Sequence, residues 1–493
     1  MATVNSTKAY VSKYPDLKFK KLGKTDLTTS ICGFGCYRVD DAILEHHKAL
    51  EFALDNGINL IDTSSNYASG GSEKLVGNVL RKLTTRNRNI LDEIIIVTKG
   101  GYLQVDNLKY ASEREEAGNP FPEVVKCSPD LWHCIHPEFL KVQIDNSLER
   151  LQLNKIDVYL LHNPEYFLTY SNLASLEEKR DEYYKRIKEA FLHLETEVKN
   201  GRISYYGISS NTFVETPEKN NFNSLEKVYE IASGISDDNH FAVIQFPLNL
   251  IEKGAVTNKN QQQGKKTLLD FTSEKNLATI VNRPLNAISN NRIVRLADFS
   301  LSEDRNRDEI SDLISDLIKT EDELVEEFVN KIEIESVDKN NLIQCLSTGM
   351  ILESNYDRFE SPNQFKDMKG MYLIPRANFA INEIGKYFGQ GKHIVNRLNN
   401  YALTVNIALD SVESDLARHW NEKNKILHNE LDEYLDETER NLNLSQKSLM
   451  FINSLSEISS TLVGMRSLNY VKDVVDYIKV QSDRSLENYW GNK

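Results

Sequence analysis

The sequence has few cysteines, and none of them is arranged as a metal ligand. Its 493 residues contain five cysteines, with no CxxC pair and no histidine cluster beside them. A structural zinc site and a disulfide framework are therefore both disfavoured, and we expect no metal. Reduced thiols are typical of the cytosol, so the expected location is cytoplasmic.

Long apolar runs are also missing. No run approaches the roughly 20 residues that span a bilayer. The start, MATVNSTKAYVSKYPDLKFKK, has no hydrophobic stretch and no arginine. We therefore expect no membrane partner and neither a secretory signal nor a transit peptide.

A basic excess is absent, and the acidic charge is unevenly distributed. The net charge is −14, which argues against nucleic acid as a partner because phosphates are bound by basic faces. Residues 301–440 hold 29 acidic against 16 basic side chains, whereas the rest of the chain holds 44 against 43. This contrast marks a separate domain.

The sequence does contain a regular alternation of short apolar runs and amphipathic stretches. Such alternation implies a parallel sheet, and eight units favour a closed (β/α)8 TIM barrel. A doubly wound fold is the competitor, but no GxGxxG motif follows the first strand. The segment KFKKLGKTDLTTS is predicted to form an N-terminal β-hairpin. The predicted strands, rich in Ile and Val, lie within 30–39, 58–63, 93–100, 155–164, 203–210, 241–250, 277–285 and 461–467.

The acidic segment separates the seventh strand from the seventh helix. Part of it repeats apolar residues at alternating steps of four and three, as in a helix packed on another helix. These residues are Leu398, Ala402, Val405, Leu409, Val412 and Leu416. We predict that residues 1–299 form the first part of the barrel, that 300–440 form an inserted, mainly α-helical subdomain, and that 441–493 complete the barrel with a last helix, strand and helix.

Four chemically useful side chains fall at predicted strand ends. In such barrels functional groups gather at the C-terminal ends of strands. Asp62 ends the second strand and Tyr67 follows it, Lys99 ends the third strand, and His162 ends the fourth. Each alone has an ordinary explanation, such as a helix cap for Asp62. Together they bring an acid, a phenol, an amine and an imidazole to one rim.

This set of groups suits proton transfer to a carbonyl oxygen. A phenol has a reference pKa of about 10, too high for efficient catalysis near neutrality, and a neighbouring ammonium lowers it. A carboxylate keeps the ammonium charged, and an imidazole can hydrogen-bond the carbonyl oxygen. No nucleophile or metal set accompanies them. Carbonyl reduction with a hydride from a cofactor is therefore indicated.

The order and spacing of these four residues resemble the catalytic tetrad of the aldo-keto reductases. The flanking segments agree: LGKTDLTTSICGFG, NGINLIDTSSNYASGGSEKLVG, SLERLQLNKIDVYLLHNP, VKNGRISYYGISS and TLVGMRSLNYV. The resemblance covers about residues 18–290 and 441–480. It implies an (α/β)8 barrel that binds a nicotinamide cofactor in extended form, without a Rossmann domain.

The resemblance also implies roles for individual residues. Tyr67 would be the general acid and base, Lys99 would tune its pKa, Asp62 would pair with Lys99, and His162 would orient the carbonyl. Residues matching positions that hold the nicotinamide carboxamide are Asn163, Ser209, Ser210 and Gln245. Arg466 and Ser467 match those that hold the adenosine ribose phosphate. An arginine at a helix N-terminus suits an anion, so NADP(H) is favoured over NAD(H).

Two departures from the family pattern lie around the seventh strand. Asn282 stands where the family usually carries an aromatic residue that stacks on the nicotinamide. The glycine-rich loop after the following proline is absent. The candidate substrate-wall residues are Tyr37, Trp132, Tyr166 and Phe167.

Two functional hypotheses follow. The leading one is an NAD(P)(H)-dependent aldo-keto reductase acting on an aldehyde, ketone or sugar-like carbonyl, or on the alcohol in the reverse direction. The alternative is a cofactor-binding regulatory barrel whose helical insertion docks a partner. The insertion is expected to cover the barrel mouth, complete the substrate pocket or make an oligomer contact. Its acidity disfavours polyanionic substrates.

Overall fold

The chain divides into two compact units. One comprises Met1–Leu296 with Ser445–Lys493, and the other comprises Ala297–Leu444. None of the described helices is long and apolar enough to cross a membrane. The computed structural model describes residues 1–289, 292–299, 301, 305–333, 338–359, 361–389, 391–480 and 486–491.

The described strands all lie in the first unit. In chain order they are β1 (Phe19–Lys21), β2 (Thr28–Ser30), β3 (Cys32–Gly35), β4 (Leu60–Asp62), β5 (Ile95–Gly100), β6 (Tyr102–Leu103), β7 (Val125–Ser128), β8 (Leu131–His133), β9 (Ile156–His162), β10 (Ile203–Ser209), β11 (Phe241–Pro247), β12 (Ala278–Asn282), β13 (Asn286–Ser289), β14 (Arg292–Arg295) and β15 (Ser460–Gly464).

The described helices follow the same numbering, and α12 to α17 belong to the second unit. They are α1 (Val4–Val11), α2 (Leu44–Asp55), α3 (Gly71–Thr84), α4 (Ile90–Glu93), α5 (Val105–Glu116), α6 (Pro137–Leu151), α7 (Tyr166–Tyr170), α8 (Leu176–Lys199), α9 (Leu225–Ile235), α10 (Gly254–Thr257), α11 (Leu268–Glu274), α12 (Arg307–Glu327), α13 (Lys339–Cys345), α14 (Thr348–Asn355), α15 (Pro362–Met368), α16 (Ile374–Phe388), α17 (Lys392–Asp432), α18 (Leu444–Asn453), α19 (Leu468–Ile478) and α20 (Glu487–Gly491).

Eight parallel strands close into a barrel in the order β3, β4, β5, β9, β10, β11, β12 and β15. Each of the eight predicted apolar runs supplies one of them, so the predicted TIM barrel is confirmed. β1 and β2 pair antiparallel, as the hairpin prediction required. Leu22 and Leu27, between these two strands, are buried in the cluster that fills the barrel interior.

Interior side chains alternate along the barrel strands with the period of two that a pleated strand imposes. Val97 and Leu160 belong to the apolar interior cluster. Lys99 and His162 follow each of them by two residues, so they point to the same side. The apolar interior therefore gives way to a polar layer at the C-terminal ends of the strands.

The second unit has its own apolar core, formed by α12, α16, α17 and the shorter helices between them. Leu398, Val405, Leu409 and Val412 of the long helix α17 are buried in it. The two ends of the unit are bonded together. Asp298 accepts hydrogen bonds from the amide of Leu444 at 2.9 Å and from His428 at 3.0 Å.

A close helix–helix approach in the barrel gives a stability prediction. A Cβ on Gly77 of α3 would lie 2.6 Å from the carbonyl oxygen of Arg150 and 2.7 Å from that of Leu151. We expect Gly77→Ala to lower the free energy of unfolding by about 1–3 kcal/mol, since backbone atoms cannot swing aside. Chemical denaturation measures the change.

Gly234→Ala is the matched control, because that glycine also lies in a helix, α9, and a Cβ there would meet no atom within 4 Å. Gly234→Ala should raise the free energy of unfolding by up to about 1 kcal/mol, through helix propensity alone. Equal effects of the two substitutions would contradict the packing argument.

Candidate active site

A buried ion pair lies at the centre of the polar layer. The Lys99 Nζ donates to Asp62 Oδ2 at 2.6 Å and to the carbonyl oxygen of Thr63 at 2.9 Å. Lys99 and Asp62 are both buried, at 0% and 3% exposure. Burial lowers the pKa of Lys99, but the Asp62 carboxylate and the Tyr67 phenol outweigh it and the net pKa is raised. Lys99 is therefore a cation at neutral pH.

The second oxygen of Asp62 is held by residues of β11 and β10. Gln245 Nε2 donates to Asp62 Oδ1 at 2.8 Å, and Ser209 Oγ donates to Gln245 Oε1 at 2.8 Å. Burial raises the pKa of the Asp62 carboxyl, whereas Lys99 and Gln245 lower it. Gln245 and Ser209, which the resemblance assigns to the nicotinamide carboxamide, are thus hydrogen-bonded to Asp62 and to each other.

Tyr67 lies half-buried against the ion pair. Its hydroxyl is 3.4 Å from Lys99 Nζ, and the ammonium lies 4.9 Å from the centre of its ring. The turn that follows is strained, since Ala68 and Ser69 both have positive φ, of 47° and 53°. α3 begins two residues later, at Gly71.

The pKa of Tyr67 differs from the expectation of a lowered value. Burial raises the pKa of the phenol, and this effect outweighs the lowering by Lys99. The charge of Asp62 raises the pKa further. Burial is the largest effect, and the lowering by Lys99 is limited because its shorter hydrogen bonds go to Asp62 and Thr63. Tyr67 is therefore in its protonated form and has a proton to donate.

His162 is buried next to this group and is neutral. Burial, Lys99 and His133 all lower its pKa well below the usual value. Its Nδ1 lies 3.1 Å from Ser64 Oγ. The rings of Tyr67 and His162 meet edge to face with centroids 6.0 Å apart. Phenol, ammonium and neutral imidazole therefore lie around one point of the rim.

Of the four predicted substrate-wall residues, Tyr37 lies beside the Tyr67 ring, and Tyr166 lies one ring further away, beside Tyr102. Tyr37, 61% exposed, meets the ring of Tyr67 at 5.7 Å. Tyr166 meets Tyr102 at 5.4 Å, and Tyr102 meets His162 at 4.7 Å. Sequence reasoning missed Tyr102, although its place three residues after Lys99 was a usable signal.

The other two predicted wall residues have different neighbours. Trp132 packs on the apolar cluster around Phe121, with Lys126 Nζ 4.3 Å above its ring. Phe167 is buried, with the guanidinium of Arg186 4.2 Å from its ring centre. No described contact joins either ring to the predicted tetrad.

Asn163 and Ser210 shape the loops after β9 and β10. Asn163 has a positive φ of 50°, and its Nδ2 donates to Tyr102 Oη at 2.7 Å. Ser210 Oγ accepts from the amide of Thr212 at 3.2 Å. Sequence reasoning also missed Glu165, a buried carboxyl whose pKa burial raises to about 7.

Basic side chains gather at the N-terminus of α19. Ser467 caps this helix by accepting from the amide of Tyr470. Arg466 precedes it and is half-buried. Burial lowers the pKa of Arg295, and the positive charges of Arg466 and Arg38 lower it further, whereas Tyr470 and Asp473 raise it. Arg295 lies on the β13–β14 hairpin, which takes the place of the missing glycine-rich loop.

The polar layer and this basic group fit a nicotinamide dinucleotide. At the end of β12, the buried Asn282 Oδ1 accepts no hydrogen bond from the residues that the structure describes. An unfilled acceptor at the rim suits a carboxamide N–H₂, and arginines at a helix N-terminus suit a phosphate. Within the described ranges, no group of three or more His, Cys, Asp or Glu side chains is placed to hold a metal ion.

The fold and this site agree with the match to known families. The family model of the aldo/keto reductase family matches residues 40–336. The chain therefore belongs to the aldo/keto reductase family.

Curated relatives match only in part. The chain is 30% identical over 156 residues to the NADH-specific methylglyoxal reductase of Escherichia coli K12, covering 29% of this chain and 40% of that protein. It is 29% identical over 213 residues to the uncharacterized oxidoreductase YqkF of Bacillus subtilis 168, covering 42% of this chain and 55% of that protein. The chain thus spans about half the length of these relatives.

Among solved structures, a holo aldo-keto reductase of Bacillus halodurans aligns over 97% of this chain and 96% of its own, at 15% identity and a TM-score of 0.45. An aldo/keto reductase of Klebsiella pneumoniae in complex with NADP and acetate aligns over 55% and 69%, at 19% identity and a TM-score of 0.34.

The buried ion pair gives a second stability prediction. Lys99→Met should lower the free energy of unfolding by about 3–5 kcal/mol, because it leaves the Asp62 carboxylate buried without its counter-charge. Adding Asp62→Asn to that variant should restore part of the loss. Urea unfolding of both single variants and the double variant measures the coupling. Strictly additive effects would show that the two charges do not depend on each other.

Proposed function

We propose that this chain transfers a hydride between NADP(H) and an aldehyde, ketone or sugar-like carbonyl, with Tyr67 as general acid and base. The observation that carries the proposal is the Lys99 ammonium, which contacts the Asp62 carboxylate and the Tyr67 phenol beside a neutral imidazole. This combination of groups suits protonation of a carbonyl oxygen.

Each side chain has one task in this reaction. A bound nicotinamide would supply the hydride to the carbonyl carbon. Tyr67 donates its phenolic proton to the carbonyl oxygen, which becomes the hydroxyl of the product. Lys99 stabilises the phenolate left behind, and Asp62 keeps Lys99 charged and in position. His162 hydrogen-bonds the carbonyl oxygen and fixes its distance from the phenol. Oxidation of an alcohol uses the same groups in reverse.

The basic group at α19 supports NADP(H) over NAD(H). Arg466 and Arg295 bring positive charge to a helix N-terminus, where the extra phosphate of NADP(H) would be stabilised. The names of similar proteins point both ways, since one relative is called NADH-specific and one solved neighbour holds NADP. We propose NADP(H) because of the positive charges of Arg466 and Arg295.

The role of Tyr67 as general acid can be tested by a substitution that removes only its hydroxyl group. Tyr67→Phe should lower kcat for NADPH-dependent reduction of the best aldehyde or ketone roughly 10²- to 10⁴-fold, because the proton donor is lost. The Kd for NADPH, measured by fluorescence, should not change. Tyr110→Phe, on α5, is the matched control.

Turnover that survives Tyr67→Phe would refute the mechanism. Binding of NADPH by the unaltered protein, with no turnover on a broad panel of aldehydes, ketones and sugars, would favour the regulatory barrel instead.

The cofactor preference can be tested by direct binding. Arg466→Ala should weaken NADPH roughly 10- to 100-fold, the range of one charge-assisted hydrogen bond, and should weaken NADH much less. Titration calorimetry measures both constants. Arg81→Ala, an exposed arginine on α3, controls for the loss of one charge. Equal losses for the two cofactors would refute the assignment.

A further inference from the structure

A chain of side-chain hydrogen bonds leads from His162 to the outside of the barrel. The Nδ1 of His162 lies 3.1 Å from Ser64 Oγ. Ser64 Oγ lies 2.7 Å from the amide of Asn66, whose other end lies 3.1 Å from the amide of Gln104. Ser64 is fully buried. A third contact of its hydroxyl, to the carbonyl oxygen of Lys99, is 3.4 Å long and weak.

The hydrogen bonds of this side-chain series can be oriented in two directions, which differ in which group is the donor of each bond. In the structure Ser64 donates to Asn66 Oδ1, and Asn66 Nδ2 donates to Gln104 Oε1. Ser64 has only one hydroxyl hydrogen, so its oxygen must accept from His162, and Nδ1 then carries the imidazole proton. A half-turn of both amides reverses every bond. Ser64 then donates to Nδ1, and the proton resides on Nε2.

The direction matters because a carbonyl oxygen only accepts hydrogen bonds. A neutral imidazole has a single N–H. Nε2 makes no hydrogen bond to any described residue, so it is the nitrogen left for a substrate. It can hold a carbonyl oxygen only when it carries the proton. His133 does not decide this, since it contacts the backbone oxygen of His162 and not the ring.

The outer end of the chain allows both directions. Gln104 and Asn66 line a polar cavity of about 190 Å³ that also contains Ser65, Asp106 and Asn107. The lining also includes Lys74, Glu149 and Arg150, so it offers both donors and acceptors and is compatible with either orientation of the Gln104 amide. A substitution at Gln104 can therefore select one direction without touching the barrel interior.

We propose that Ser64, Asn66 and Gln104 are positioning residues that determine which ring nitrogen of His162 carries the proton. When each residue donates its hydrogen bond toward His162, the imidazole proton resides on Nε2. This is the productive direction, because Nε2–H can then donate to a carbonyl oxygen. Its consequence for rate rests on the proposed carbonyl reduction, whereas the tautomer itself does not.

Two opposite substitutions test the proposal. Gln104→Glu can only accept, so Asn66 donates to it, Ser64 donates to Asn66, and the proton is forced onto Nδ1. Gln104→Lys can only donate, which reverses the chain and places the proton on Nε2. The ¹⁵N shifts of the imidazole nitrogens in cofactor-free, histidine-labelled protein report the tautomer, with His162→Gln assigning the signals.

We expect the two variants to show opposite tautomers. We also expect kcat for carbonyl reduction to be roughly 10- to 100-fold lower in Gln104→Glu than in Gln104→Lys, as for loss of one donor to the reacting oxygen. Asn107→Asp and Asn107→Lys place the same charges in the same cavity outside the chain, and should leave the tautomer unchanged. Adding Ser64→Ala should abolish the difference between the Gln104 variants.

The same tautomer in both Gln104 variants would overturn the proposal, as would an equal shift in the Asn107 pair. An absence of turnover in the unaltered protein would refute the proposed function alone, because the nitrogen shifts would still decide the direction of the chain.

Discussion

A lysine ammonium buried away from water needs a counter-charge, and Asp62 supplies it to Lys99 at 2.6 Å. The ammonium has three N–H groups. Asp62 and the carbonyl of Thr63 accept two of them, and the third lies toward the Tyr67 hydroxyl at 3.4 Å. The position of the phenol therefore follows from satisfying one buried cation. Since neither charge could remain buried alone, the site and the stability of the barrel depend on the same contact.

The need to give each buried polar atom a hydrogen-bond partner extends around the barrel. Asp62 has a second oxygen that also needs a donor, and Gln245 supplies one from the far side of the interior. Gln245 is in turn held by Ser209. Strands β4, β5, β10 and β11 thus share one hydrogen-bonded layer above an apolar interior. A satisfied network of this kind fixes side-chain positions closely, whereas a half-satisfied one would be strongly destabilising.

The barrel and the meeting of the four predicted residues could be read from the sequence, because both depend only on strand order. In a parallel barrel all strand ends meet at one rim, so Lys99 and His162 had to be neighbours. The surroundings of the predicted wall residues could not be read in this way, because they depend on side-chain direction and burial. Trp132 and Phe167 are aromatic and near the rim in sequence, yet cations cover their rings.

The pKa of Tyr67 could not be predicted from its neighbours alone. Its direction depends on whether burial or the nearby ammonium has the larger effect, and spacing along the chain contains neither quantity. Arg295 was missed for a related reason, since a hairpin in place of a glycine-rich loop has no family motif to mark it. Tyr102 was accessible to sequence reasoning, because any residue just past Lys99 lies at the same rim.

The insertion raises the question of how β12 and β15 remain paired with residues 297–444 between them. These strands pair in register, with Ile280 opposite Ser460. A long flexible loop adds little closure entropy, since each doubling of length costs about 0.6 kcal/mol. This segment is also folded, and Asp298 bonds its first residues to the amide of Leu444. Burial raises the pKa of Asp298, but His428 and that amide outweigh it and the net pKa is lowered. The charged acceptor therefore holds the two ends of the segment together, so its length is not a length of open loop.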